Sequence, residues 1–203
     1  MPFASEIASV ASGIWVWQSY DPTVKADLFS TAVATLGGTW LIDPIPLARE
    51  ALAELQLPFP IRGIVVTNEN HERAAGSFAR ELQVSVYLHP TLLNQMIPGA
   101  LAFKDDGSFA PGLVAIEVEG APKGEVAIYS ERDGGTFIIG DALINFEPYG
   151  FAFLPSRYCS NPKAMRRALV KLLDYPFDRM LFAHGTPILS GARRHLEALL
   201  RNP

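Results

Sequence analysis

The sequence predicts an α+β fold in which two mixed β-sheets pack together with helices on their outer faces. Two observations carry this. Hairpin signals and βα units are interleaved along the chain, so neither a purely parallel sheet nor an all-β barrel fits. The β-rich segments also fall into two halves, each with its own helices. The 203 residues suit one domain spanning 1–203, long enough to bury a substantial core.

Each element has its own signal. Ile14 to Gln18 alternates apolar residues around Trp15 and Trp17, a strand pattern. Thr31 to Leu36 and Thr39 to Asp43 are β-rich runs split by Gly37-Gly38, a hairpin turn. Leu47 to Gln56 places Leu47, Ala51 and Leu55 at helical spacing and ends before Pro58. Ile64 to Thr67 reads as a short buried strand. His71 to Leu82 reads as a helix with Asn70 as its N-cap. Val84 to Leu88 follows as a strand and Thr91 to Ile97 as a short helix. In the second half, Val114 to Val118, Glu125 to Tyr129 and Thr136 to Ile139 read as strands, with a turn at Asp133-Gly134-Gly135. Asn161 to Asp174 is an amphipathic helix, Met180 to Ala183 a buried strand and Gly191 to Arg201 a final helix.

Composition narrows the function classes. Charged residues make up 19 %, below the roughly 25 % of ordinary domains, which argues against disorder. The net charge is −4 and no Lys/Arg cluster is visible, so a nucleic-acid partner is not expected. Cys159 is the single cysteine, which rules out an internal disulfide and a multi-thiolate zinc knot. Met1 to Ala11 lacks a basic segment followed by an apolar run, and no stretch reaches about 18 apolar residues. The expectation is a cytoplasmic protein that neither spans nor binds a membrane. The four histidines, His71, His89, His184 and His195, limit any metal site.

Polar residues follow directly on three apolar strands. Ile64-Val65-Val66 runs into Thr67-Asn68-Glu69-Asn70-His71-Glu72-Arg73, Phe137-Ile138-Ile139 into Gly140-Asp141, and Met180-Leu181-Phe182-Ala183 into His184-Gly185. Strand ends in layered α/β folds are where sites are built, because a rigid sheet positions the loops there. Alone, Asp141 would serve as a turn residue, His184 as a satisfied loop histidine, and Glu72 and Arg73 as the first turn of a solvated helix. Together they would bind a metal or move protons.

In this order the motifs resemble the metallo-β-lactamase superfamily of hydrolases. Thr39-Trp40-Leu41-Ile42-Asp43-Pro44 is similar to that family's early strand ending in Asp. Thr67 to Gly76 sits where the family carries Thr-His-x-His-x-Asp-His followed by small residues. Gly140-Asp141-Ala142-Leu143 resembles its Gly-Asp segment, whose Asp bridges two metals, and Ala183-His184-Gly185 its late Gly-His-Gly segment, whose His is a metal ligand. The resemblance implies a four-layer αβ/βα sandwich with the site at one edge of the sheets. The departures are equally specific. The family's first histidine falls on Asn68, its second on Asn70, its Asp on Glu72 and its last His on Arg73. A further family histidine falls within Gly120 to Glu125, at Ala121. His71 is an extra imidazole, one residue out of register. A divergent branch described as metal-dependent hydrolases is more similar. It carries Thr-Asn-x-x-His-x-Arg, has Gly-Glu in place of the later histidine, and resembles Leu154 to Leu199, including Phe182 to Leu189.

The ligands left by this comparison argue against an ordinary dinuclear zinc site. In one reading Glu72, Asp141 and His184 hold a single divalent metal (zinc, manganese or iron), helped by His71, and a water attacks the substrate. Asp141, His184 and His71 are then catalytic. In the other no metal binds, and Arg73 supplies the positive charge by pairing with Asp141 or with an anionic ligand. The protein would then be a non-catalytic small-molecule-binding protein. Asn68, Asn70 and Arg73 are expected to contact the ligand. The substrate class implied is small: an ester, thioester, lactone or phosphodiester. His89 is expected at a strand end in a structural role, and His195 on a solvated helix face. Cys159 is expected as a bystander, and Tyr149, Phe151, Phe153 and Tyr158 either line a pocket or pack.

Overall fold

A computed structural model of the chain describes residues 3–104 and 106–201. The first sheet has seven strands in sequence order. Strands β1 (Ala8–Ala11), β2 (Ile14–Asp21), β3 (Ala26–Thr35) and β4 (Gly38–Ile42) form an antiparallel meander. Helix α1 (Arg49–Gln56) leads to β5 (Ile61–Val65), and α2 (Ala75–Leu82) to β6 (Ser85–Leu88) and β7 (Leu101–Ala102), all parallel to β4. The second half contributes β8 (Ser108–Ala110), β9 (Leu113–Glu117), β10 (Val126–Ser130) and β11 (Thr136–Ile139). A separate hairpin, β12 (Leu143–Phe146) and β13 (Gly150–Phe153), follows. Helix α3 (Pro162–Val170), strand β14 (Arg179–Phe182) and helix α4 (Ala192–Arg201) complete the fold. The second sheet runs in the order β14-β11-β10-β9-β8, with β14 parallel to β11.

Three buried clusters explain why most of these strands are apolar on both faces. Leu41, Ile64 and Val66 face α1 and α2, where Leu52, Leu55 and Phe78 meet them. Their neighbours Trp40, Ile42 and Val65 point the other way and pack against Val126, Ile128, Ile138 and Leu181 of the second sheet. On that sheet's far side, Phe137, Ile139, Met180 and Phe182 meet Met165, Leu169 and Leu196 of α3 and α4. Helix, sheet, sheet, helix is the four-layer sandwich expected from the resemblance.

Two local expectations are corrected. The helix expected from His71 begins only at Ala75, because Arg73 adopts a left-handed backbone (φ 42°) that no α-helix accepts. The helix expected over Thr91 to Ile97 is a single 3-10 turn, Pro90–Leu92, capped by His89, whose Nδ1 accepts the Thr91 N–H at 3.3 Å. The aromatic run after Asp141 is the β12–β13 hairpin.

Gly63 lies beside Trp40 in the β4–β5 register, and a Cβ there would overlap the indole ring. Gly63→Ala should therefore lower stability by about 1–3 kcal/mol through overpacking, read as a fall in Tm by thermal denaturation. An unchanged Tm would show that this contact is slack.

Candidate functional site

Strand register brings the polar residues together. Ile139 pairs with Phe182 in the parallel β11–β14 ladder, so two residues further on Asp141 lies beside His184. Ile128 pairs with Ile138 in the antiparallel β10–β11 ladder, and extending that pairing sets Glu125 opposite Asp141. Asp141 is thus flanked by a histidine on one side and a carboxylate on the other. The first sheet supplies the rest. Asp43 ends β4, and the turn after β5 carries Thr67, Asn68 and His71.

His71 sits at the seam, 2 % exposed. Its Nδ1 lies 2.9 Å from Asp43 Oδ2, and its Nε2 lies 3.3 Å from Asp141 Oδ1. His184 Nε2 approaches the same Asp141 oxygen at 3.2 Å. Asp43 is held by the Thr67 N–H, which donates to Oδ1 at 2.8 Å, and by the Thr67 hydroxyl, which donates to Oδ2 at 2.6 Å. Glu125 Oε1 accepts the backbone N–H groups of Asp141 and Ala142 at 2.8 and 3.0 Å. Asn68 Nδ2 spans the two remaining carboxylate oxygens, donating to Glu125 Oε2 at 2.6 Å and to Asp141 Oδ2 at 3.1 Å. Gly140 permits this approach, since a Cβ there would strike the Thr67 hydroxyl and the Glu125 carboxylate.

Charge is concentrated out of water here. Burial works against a charged His71, but the Asp141 and Asp43 carboxylates overcome it and raise its pKa to about 9. Burial and the neighbouring Asp141 push Glu125 up to about 8. Burial opposes ionisation of Asp141, yet the two imidazoles hold it well below the usual carboxylate range. Burial lowers His184, which leaves it the more readily neutral of the two histidines.

Several sequence-based assignments are revised. Glu72 is exposed, with its carboxylate turned toward Gly76, and lies outside the group formed by His71, Asp141 and His184. His71, not Glu72, points inward, and the left-handed turn at Arg73 follows before the helix starts at Ala75. Asn68 is fully buried behind Asp141, so it braces the centre and does not face a ligand. Asn70 is exposed, with Nδ2 at 3.4 Å from Asp141 Oδ2. Arg73 has no carboxylate within ion-pair distance among the described residues. Its guanidinium donates to the carbonyls of Phe29 at 2.6 Å and Asp43 at 3.0 Å, and approaches that of Ala183 at 3.5 Å. It therefore ties β3 to the ends of β4 and β14 across both sheets. The later family histidine is not matched by Ala121, which packs in the outer core. Glu125 is the residue from that segment that reaches the centre. Glu125, Asp43 and Thr67 were not among the expected site residues. Asp43 carried the same signal as Asp141, a carboxylate closing an apolar strand.

The donor set fits one divalent cation. One ligand atom each from His71, Asp141 and His184 lies within 4.8 Å of the others. His71 Nε2 is buried without a hydrogen bond, while Nδ1 is engaged by Asp43. A histidine whose second nitrogen is fixed by a carboxylate presents its free lone pair to a metal. Two imidazoles and a carboxylate suit zinc, manganese or iron. A cavity of about 570 Å³ opens onto this group, and Asn70, Arg73, Tyr149 and Tyr158 are among the residues that line it. Phe151 and Phe153 pack instead on the outer core.

No curated protein matches the chain. Among solved structures, the DIM-1 metallo-β-lactamase exposed to ceftazidime superposes with a TM-score of 0.77 at 15 % identity, covering 98 % of this chain and 97 % of that one. A metallo-β-lactamase from Pontibacter korlensis gives 0.74 at 18 %, covering 98 % and 99 %. The FIM-1 enzyme from Pseudomonas aeruginosa in its mono-zinc form gives 0.71 at 14 %, covering 98 % and 96 %. At such identities the likeness is one of fold. The family profile described as the metallo-β-lactamase superfamily matches residues 9–199, nearly the whole chain, and the chain belongs to that superfamily.

Proposed function

We propose that the chain is a metal-dependent hydrolase that holds one divalent metal between His71, Asp141 and His184. The substrate would be a small ester-, lactone- or phosphodiester-like molecule bound in the adjoining cavity. The observation that carries this is the buried Nε2 of His71, which has no hydrogen bond and faces Asp141 beside His184 Nε2. A metal there supplies Lewis acidity and lowers the pKa of a water.

The chain's own groups have separable tasks. Asp43 fixes the His71 ring through Nδ1. Asn68 engages Oδ2 of Asp141 and leaves Oδ1 to the imidazoles. Glu125 fastens the backbone of Asp141 and Ala142. Asn70 lines the cavity with an amide that can donate to a substrate oxygen. A second metal is not part of the proposal. Asn68 Nδ2 already bridges Glu125 and Asp141, and Arg73 adds a fixed positive charge at the strand ends. In the rival reading, a metal-free binding protein, Arg73 pairs with Asp141 or with an anionic ligand in the cavity. Its guanidinium is instead directed to backbone carbonyls.

Titration of metal-stripped protein with zinc by calorimetry should give one site per chain. His71→Ala and Asp141→Ala should weaken it at least about 100-fold, and Asp43→Asn by about 10–100-fold through the lost orienting bond. Glu72→Ala should bind zinc as the parent does. No binding, two sites, or loss on Glu72→Ala would contradict the assignment. For a p-nitrophenyl ester that the parent turns over, Asp141→Ala should abolish hydrolysis while the circular dichroism spectrum is kept, and retained turnover would remove Asp141 from the mechanism.

The metal-free protein should also lose stability as pH rises from about 6.5 to about 9. Across that window folded His71, raised to about 9, keeps a proton that the unfolded chain has released. Glu125, raised to about 8, acts with the same sign up to that pH. His184, being lowered, acts below about 6.5. A melting temperature that stays flat or rises between pH 6.5 and 9 would contradict this charge assignment.

A further inference from the structure

The mouth of the cavity lies away from the group that would hold the metal. Its walls are apolar, formed by Leu28, Ile144 and Leu154. Its rim carries the exposed Tyr149 and Tyr158 and, beside them, Arg157. The Arg157 guanidinium carbon lies 4.8 Å from the centroid of the Tyr158 ring. No carboxylate lies within ion-pair distance of it among the described residues. Stacking on an aromatic ring orders a long side chain and leaves the in-plane N–H groups free to bind an anion in a fork.

The other charged groups of the cavity are engaged. Asp21 accepts the Thr23 N–H at 2.8 Å within its own turn. Arg73 donates to strand-end carbonyls, and Asp141 faces the two imidazoles. Arg157 is the one cation lining the cavity whose donors have no carboxylate or carbonyl partner among the described residues. The cavity therefore runs from a group that can hold a metal, past aliphatic walls, to a guanidinium beside the Tyr149 and Tyr158 hydroxyls that has no carboxylate partner among the described residues.

We propose that the substrate of this site is a small amphipathic anion. Its apolar body lies against Leu28, Ile144 and Leu154. Its carboxylate or phosphate pairs with Arg157 at the mouth, and its scissile group lies at the opposite end. Which end reacts rests on the hydrolase reading of the centre; the pairing with Arg157 does not.

The test uses 4-phenylbutyrate and its neutral isostere 4-phenylbutyramide, titrated into metal-stripped protein at low salt so that the carboxylate cannot be taken up by a metal. Phosphate-bearing 3-phenylpropyl phosphate is added as a third probe. The parent should bind the carboxylate about three- to tenfold more tightly than the amide, as suits a partly solvated pair. Arg157→Gln should erase that preference and leave amide binding unchanged, and raised salt should diminish it in the parent. A phosphate probe that outranks the carboxylate would name the phosphate as the preferred anion. Equal binding of acid and amide by the parent, binding of neither, or a preference that survives Arg157→Gln would overturn the proposal. Zinc titration of the same samples separates the two readings. Anion preference without zinc binding defeats the hydrolase reading alone, and zinc binding without anion preference defeats the Arg157 assignment alone.

Discussion

His71 is held between two carboxylates that come from different sheets. Asp43 closes β4 of the first sheet and meets Nδ1; Asp141 follows β11 of the second and meets Nε2. Buried carboxylates that lack a positive partner cost several kcal/mol each, so the seam between the sheets can close only around a cation. Protonated His71 provides one, and the Arg73 guanidinium contributes another from its place against β3 and the ends of β4 and β14. A divalent metal would serve the same electrostatic need from the cavity side. The arrangement therefore favours either a proton on His71 or a metal at its Nε2, and the two compete for one lone pair.

The layers behind the seam set its geometry. Apolar side chains alternating along β4, β5, β11 and β14 fill three separate cores, and a slip of one residue in any of these strands would exchange the cores it feeds. Register is for that reason strongly specified, and register alone places Asp141 between Glu125 and His184. The centre needs no flexible loop to assemble it on that side. On the first sheet, two left-handed residues, Asp43 and Arg73, turn the chain where β4 ends and where α2 is about to begin (φ 48° and 42°). Each is a strained conformation for a residue with a Cβ. Each is held by hydrogen bonds that reach the other strand ends.

Much of this was legible in the residues themselves. Apolar runs that end abruptly in Asp141 and His184 mark both the strands and the edge where they stop. The hairpin at Gly37-Gly38 and the helices near 49–56, 162–170 and 192–201 follow from turn chemistry and spacing. What escaped depended on pairing between distant segments. Glu125 begins a strand and does not end one, so its meeting with Asp141 follows from its antiparallel partner; counting along Gly120 to Glu125 leads to Ala121, and the divergent branch's Gly-Glu, matched by Gly124-Glu125, is the one sequence signal for it. Glu72 takes the place of the family's aspartate in an ungapped comparison and leaves His71 one residue out of register, and a left-handed Arg73 leaves no trace in local propensity. The strands β7 and β8 are too short for alternation to register, and β12–β13 is masked by aromatic residues on both of its faces.

The central claim is that one divalent metal belongs where His71, Asp141 and His184 converge. An anomalous-difference map from crystals of zinc-loaded protein, collected on either side of the zinc edge, tests it most directly. The account expects one peak per chain, bonded to Nε2 of His71 and of His184 at about 2.0–2.1 Å and to an Asp141 carboxylate oxygen at about 2.0–2.2 Å. A second peak beside Glu125, a peak at Glu72, or no peak at this seam would contradict it.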